Sequence, residues 1–184
     1  LSLVGSEMCI RDSATIECLK ALGAEKIIVV QRKSVRQEYA LRAGADILLE
    51  PGKDDVVAEI YRLTGGAGAD IAFETTGSEQ CLLLLLESIK AAGTLVVTSI
   101  WEGPATLHPN LLVMKERQMV GSICYCGDFP KVIELLDSGR IPAEGYVTKK
   151  ICLEDVVKEG FASLTGPEKK SQVKILVTPD CNLL

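Results

Sequence analysis

From Ala14 onward the apolar and polar positions of this chain switch period in a regular way. Ile16, Leu19 and Leu22 fall at helical spacing within 14–22, Gly23 stops that stretch, and a β-branched run follows over 26–30. Ser34 is placed to cap a second helix through Arg42, Gly44 ends it, and 47–49 predicts a short strand closed by Pro51 and Gly52. Asp54 opens a third helix to Leu63, a glycine-rich turn spans 65–68, and 70–74 predicts a strand. Ser78 starts a helix reaching Lys90, Gly93 breaks it, and 94–99 is rich in β-formers. Strands that alternate with helices over short connections predict an α/β fold with a doubly wound parallel sheet. Ligands of such a sheet lie at the carboxyl ends of its strands.

The texture changes after Ser99. Residues 101–109 hold two prolines and a glycine, 111–113 is apolar, 119–124 predicts a strand, and 128–138 predicts a helix ended by Gly139. A last unit comprises a strand over 147–152, a helix over 154–164 and a strand over 173–177. That tail is too small to bury a core of its own, so it is expected to complete a second domain.

The first thirteen residues, LSLVGSEMCIRDS, have neither period and lack the basic region and apolar core of a signal peptide. From Leu3 they resemble the translation of transposase adapter DNA used in sequencing libraries, and 1–13 is therefore set aside as an assembly scar. Ala14 then begins in mid-helix, with no strand and no glycine-rich turn before it. The expectation is a sheet lacking its first, central strand, whose neighbours are left short of ladder hydrogen bonds and apolar cover.

Composition narrows the picture. A length of 184 residues suits one domain plus part of another, and 47% hydrophobic with only 4% aromatic residues suits parallel strands packed under helices. The net charge of −5 provides no basic face for nucleic acid. Cysteines at 9, 18, 81, 124, 126, 152 and 181 form no CxxC pair and have one histidine, His108, for company. A zinc cluster cannot be assembled from that set, so metal ligands are expected to be absent. The thiols read as small buried hydrophobes in a reducing cytoplasm. The longest apolar run, 81–86, is far short of the roughly 20 residues that span a membrane.

Candidate chemistry sits at strand ends. Gly65, Gly66 and Gly68 follow a helix and open a strand, the reverse of a phosphate-binding turn, and read as a plain turn. After the strand over 26–30 come Gln31, Arg32 and Lys33, with Arg36 one helical turn on. An acid there would take the ribose hydroxyls of NAD; an amide with two guanidinium groups favours the 2′-phosphate of NADP. Thr75, Thr76 and Gly77 lie just past one strand and Thr98, Ser99 and Ile100 past the next, where together they would make a cofactor shelf.

The succession IECLKALGAEKIIVV, GADIAFETTGSEQ, GTLVVTSIWEG, GSICYCGDFPKVIELLDSGRI, LEDVVKEGFASL and VKILVTP resembles the zinc-containing medium-chain alcohol dehydrogenases, nearest to butanediol and sorbitol dehydrogenases. The resemblance implies a partial Rossmann domain over 14–125 and, over 126–180, the carboxy-terminal piece of a GroES-like catalytic domain. It implies a full-length enzyme that transfers hydride between a secondary alcohol or polyol and NADP or NAD, with zinc held by residues this chain lacks. It places Thr75, Thr76 and Gly77 on the adenosine side and Thr98, Ser99 and Ile100 at the nicotinamide. Lys174 is placed toward the pyrophosphate and Tyr125 near the substrate. The segment holding Trp101 and His108 resembles one that pairs sheets between subunits of a homodimer or homotetramer. Gln31 stands where most members have an acid, and Cys124 where close polyol dehydrogenases have arginine. A zinc-independent quinone-reductase-like enzyme and a noncatalytic dinucleotide-binding module remain as alternatives.

Overall fold

The computed structural model describes residues 2–6, 9–33, 36–142 and 147–183, with the backbone alone at 2–6, 9, 10, 36, 169 and 170. Six parallel strands form one sheet: β1 (Ser2–Ser6), β2 (Ile27–Gln31), β3 (Ile47–Leu49), β4 (Ala69–Glu74), β5 (Ile89–Val97) and β6 (Gln118–Gly121). Their order across the sheet is β3-β2-β1-β4-β5-β6, so the chain builds outward from β1 on one side and then crosses to build on the other. The point of reversal lies between β1 and β4, where a doubly wound sheet opens its ligand crevice. The α/β, doubly wound reading holds.

Helices α1 (Cys9–Ala21), α2 (Arg36–Ala43), α3 (Val56–Leu63) and α4 (Glu79–Ser88) link the strands. Because side chains alternate along a strand, β2 serves both faces. Ile28 and Val30 pack with Val56, Ile60, Leu82, Leu85 and Leu86 of α3 and α4, while Ile27 and Val29 pack with Ile16 of α1 and Ala40 of α2. All five residues of β2 are buried, as a strand covered by helices on both faces must be. Asp55, one residue beyond the Asp54 expected there, caps α3 by accepting from the Ala58 amide at 3.1 Å. Ser34, expected to cap α2, lies outside the described residues.

The expected gap at the first strand is not there. The backbone of β1 pairs with β2 from Ser2 opposite Ile27 to Ser6 opposite Gln31, and with β4 from Ser2 opposite Ile71 to Gly5 opposite Glu74. Helix α1 begins at Cys9, five residues before Ala14. Residues set aside as foreign thus take the central slot. Two flanking strands offer it a full row of donors and acceptors, which any extended backbone can satisfy.

Other boundaries also shift. Helix α4 ends at Ser88 rather than Lys90, and β5 starts at Ile89, so Gly93 lies inside the strand. The Arg117 guanidinium takes up carbonyls at this junction, donating to Glu87 O at 2.9 Å and to Ile89 O at 3.0 Å. The register between β4 and β5 is irregular between Ala69 and Ile71. At Gly93 an added Cβ would lie 3.0 Å from Lys90 O and 3.2 Å from Asp70 O, so the irregularity needs a residue without one. Strand β6 stops at Gly121, short of Cys124, whose positive φ of 58° is incompatible with a strand.

Beyond α5 (Asn110–Val113) and α6 (Phe129–Asp137), strands β7 (Val147–Cys152) and β8 (Lys174–Thr178) form a separate parallel pair. The single helix expected over 154–164 is instead a 3-10 turn (Leu153–Asp155), wide π-type turns (Val156–Phe161) and a short α7 (Ala162–Thr165). The reading of the cysteines as buried free thiols also needs correction: Cys152 and Cys181 are joined in a disulfide, and Cys124 and Cys126 are exposed. Among the described residues no helix is long and apolar enough to cross a membrane.

Candidate cofactor site

Strand β4 is apolar until its last residue, Glu74, which is fully buried. A buried carboxylate must collect hydrogen bonds, and the chain supplies them at once. Glu74 Oε1 accepts from the Thr76 amide at 2.7 Å, the Thr76 hydroxyl at 2.6 Å and the Gly77 amide at 2.9 Å. Its other oxygen, Oε2, accepts from the Ser99 hydroxyl beyond the end of β5. Glu74 O is capped by Thr98, through its amide at 2.9 Å and its hydroxyl at 3.0 Å. One carboxyl group therefore ties the turn after β4 to the turn after β5. At Gly77, with φ +71°, a Cβ would lie 3.1 Å from Ile100 O, so any other residue would be strained and would press on the neighbouring turn.

These contacts bring Thr75, Thr76, Gly77, Thr98, Ser99 and Ile100 onto adjoining strand ends. Sequence reasoning gives Glu74 no role. The available signal is an acid closing an apolar strand directly before two hydroxyls and a glycine.

Next to this junction a cleft opens between the end of β2 and the start of α4. Val30, Pro51 and Leu84 supply apolar walls, and Gln31, Arg32 and Thr76 the polar ones. Gln31 is only 5% exposed, yet its Oε1 has no hydrogen-bond partner. A buried orphan acceptor is costly, and a hydroxyl donor entering the cleft would satisfy it. Arg32 is exposed at the rim, where it can meet a phosphate. The side chain of Arg36 lies outside the described residues. The donor set and the apolar walls fit the adenosine end of a nicotinamide dinucleotide.

The rest of such a cofactor fits poorly. Where a glycine-rich turn would meet its pyrophosphate, Asp12 sits in the first turn of α1 and accepts from the Thr75 hydroxyl at 2.7 Å, and Arg11 donates to Thr98 O at 3.1 Å. Sequence reasoning misses both residues because they are set aside with 1–13. The turn over 65–68 is structural, as expected: a Cβ on Gly68 would lie 2.8 Å from Lys90 N.

The remaining candidates lie apart. Lys174 opens β8 in the second sheet and is exposed. Tyr125, beyond β6, is exposed and stacks on Phe129 at 4.9 Å between ring centroids. Trp101 packs against the core beside α4. His108 is exposed and accepts from the Asn110 amide at 3.2 Å. Among the described residues a single group, Cys152, Glu154 and Cys181, gathers three potential metal ligands. Its two sulfurs are bonded to each other, so they are not the thiolates zinc requires, and this set does not fit the ion.

Residues 13–138 match the family described as zinc-binding dehydrogenase. The (R,R)-butanediol dehydrogenase of Bacillus subtilis (strain 168) is 48% identical over 166 residues, which cover 90% of this chain and 47% of that protein. The sorbitol dehydrogenase of the same strain is 30% identical over 166 residues, covering 90% of this chain and 46% of that protein. The crystal structure of 2R,3R-butanediol dehydrogenase from Bacillus subtilis superposes with a TM-score of 0.90 at 44% identity, covering 97% of this chain and 50% of that one. The chain thus spans about half the length of the curated relatives it matches.

Proposed function

This chain belongs to the zinc-binding dehydrogenase family, and from that premise we propose that it serves as the cofactor-holding half of an alcohol or polyol dehydrogenase. The whole protein would move hydride between the carbinol carbon of a secondary alcohol and a nicotinamide cofactor, with a vicinal diol or polyol as substrate. Kinship with butanediol and sorbitol dehydrogenases supports that substrate class. The bound cofactor supplies a hydride acceptor at its nicotinamide ring, and the residues of this chain contribute binding and positioning. Among the described residues the donors do not fit zinc.

The observation that carries the reading is the cleft beside the carboxyl end of β2, with Arg32 and Gln31, whose buried Oε1 lacks a partner, among its lining residues. A ribose 3′-hydroxyl donates to Gln31, and Arg32 takes a 2′-phosphate, with Arg36 as the second basic candidate from the sequence. Among the described residues no carboxylate stands at this strand end to repel it, which supports NADP over NAD. Thr75, Thr76 and Gly77 flank the adenosine, while Thr98, Ser99 and Ile100 line the way to the nicotinamide. Lys174 would approach the pyrophosphate and Tyr125 the substrate once the rest of the catalytic domain is in place. Strand β6 lies at the sheet edge with all four residues exposed, which supports a homodimer or homotetramer of the whole protein. Cys18, Cys81, Cys124 and Cys126 lie outside disulfides, which supports a cytoplasmic setting against the Cys152–Cys181 pair.

The test is turnover by the whole protein, this chain together with its upstream half, with NADP and NAD against 2,3-butanediol and sorbitol. Reduction of NADP by either alcohol is expected once the turn before α1 carries glycines in place of Asp12 and the two fingerprint positions before it; turnover with neither alcohol in that form sinks the reading. The double substitution Gln31→Asp, Arg32→Ala should shift the preference toward NAD by about tenfold, the value of one charge-assisted hydrogen bond.

A further inference from the structure

A dinucleotide turn needs glycines for two reasons. Backbone amides must touch the pyrophosphate, and the first turn of the helix must press against the sheet. Helix α1 starts at Cys9. The glycine that permits close packing therefore belongs in the turn that holds Asp12, and counting back along G-x-G-x-x-G puts the other two at Cys9 and Glu7. All three positions carry side chains, two of them acids. Glu7 lies outside the described residues. Asp12 is 4% exposed, and its carboxylate accepts from the Thr75 hydroxyl at 2.7 Å. A negative charge thus already answers the positive end of α1 and would oppose a pyrophosphate arriving there. Arg11 spans to Thr98 O at 3.1 Å, engaging the backbone along which the nicotinamide would lie.

The adenosine end is untouched by these residues. The cleft is lined from the end of β2, from Pro51 beyond β3, from the turn after β4 and from α4, and the partnerless Oε1 of Gln31 beside it would be satisfied by a ligand hydroxyl. We propose that this chain binds adenine mononucleotides bearing a 2′-phosphate, and that the nicotinamide half of a dinucleotide adds nothing to its affinity. This rests on reading the cleft as the adenosine seat.

Calorimetric titration of the chain with adenosine 2′-monophosphate and with NADP tests both statements. Equal affinities, within about threefold, are expected for the two ligands. In the variant Glu7→Gly, Cys9→Gly, Asp12→Gly, NADP should gain about tenfold or more over the mononucleotide, whose own affinity stays the same. NADP binding more than about tenfold tighter than the mononucleotide to the unaltered chain overturns the inference and leaves the cleft reading intact. If neither ligand binds, the cleft reading falls and takes the inference with it. Should the triple variant fail to fold, the comparison within the unaltered chain still decides.

Discussion

Strands β2 and β8 are both mostly apolar, IIVVQ and KILVT, and have opposite surroundings. β2 lies between β1 and β3 under helices on both faces, and all five residues are buried. β8 has one partner, β7, and leaves Leu176 and Val177 41% and 42% exposed. Apolar content alone therefore does not decide burial. A strand is buried by the number of neighbours its topology assigns and by the helices that cover them. The inner strands of the six-stranded sheet have their cover, whereas edge strand β6 stays exposed and the two-stranded sheet presents a face suited to a further layer. That fits the proposal that this tail completes a domain whose remainder lies outside the chain.

The largest expected effect tests this contrast directly. Leu86→Ala empties a fully buried site between α4 and the sheet and should cost about 3 kcal/mol, whereas Val177→Ala should cost under about 1 kcal/mol. Equal losses in denaturant unfolding would break the comparison.

A smaller effect sharpens it. Glu17 of α1 is buried with Oε2 lacking a partner, and burial pushes its carboxyl up from the ordinary value. The folded state thus holds the proton more tightly than the unfolded one, so stability declines as pH rises through and above the usual carboxylate range. Glu17→Gln should stabilise the chain by roughly 1 kcal/mol at neutral pH and by nothing below about pH 4. A gain independent of pH would remove burial of the charge as its cause.

The smallest effect lies at the sheet's exposed rim. Hydrogen bonding from Lys90 lowers the Asp70 carboxyl to about 2. Its contribution is present above the unfolded value near 3.8 and fades as pH falls toward 2. The side chains are 46% and 41% exposed, so screening limits the effect of Asp70→Asn to under about 1 kcal/mol. Its stability difference from the parent should vanish below about pH 2; a difference that persists there assigns the effect to packing.

Where local signals coincide with topology, the chain is readable. β3 runs over 47–49 as the pattern predicts, and the two hydroxyl-rich runs do land on adjoining strand ends. What escapes depends on residues far apart in sequence. Glu74 acquires its role only when Ser99, 25 positions on, comes to its free oxygen, and Cys152 finds Cys181 across 29 positions. The α4–β5 boundary is set by Arg117, which reaches back 28 residues to Ile89 O. β1 escapes for a different reason: its own sequence has no period, and its conformation comes from the strands on either side.

The central slot between β2 and β4 is in effect an address written by its neighbours, and the occupant's side chains add little information. A chain altered at that slot would keep the sheet's geometry and forfeit what the following turn encodes. Persistence of a fold and persistence of its chemistry then separate within a few residues, so a correct backbone is no proof that the ancestral ligand still binds.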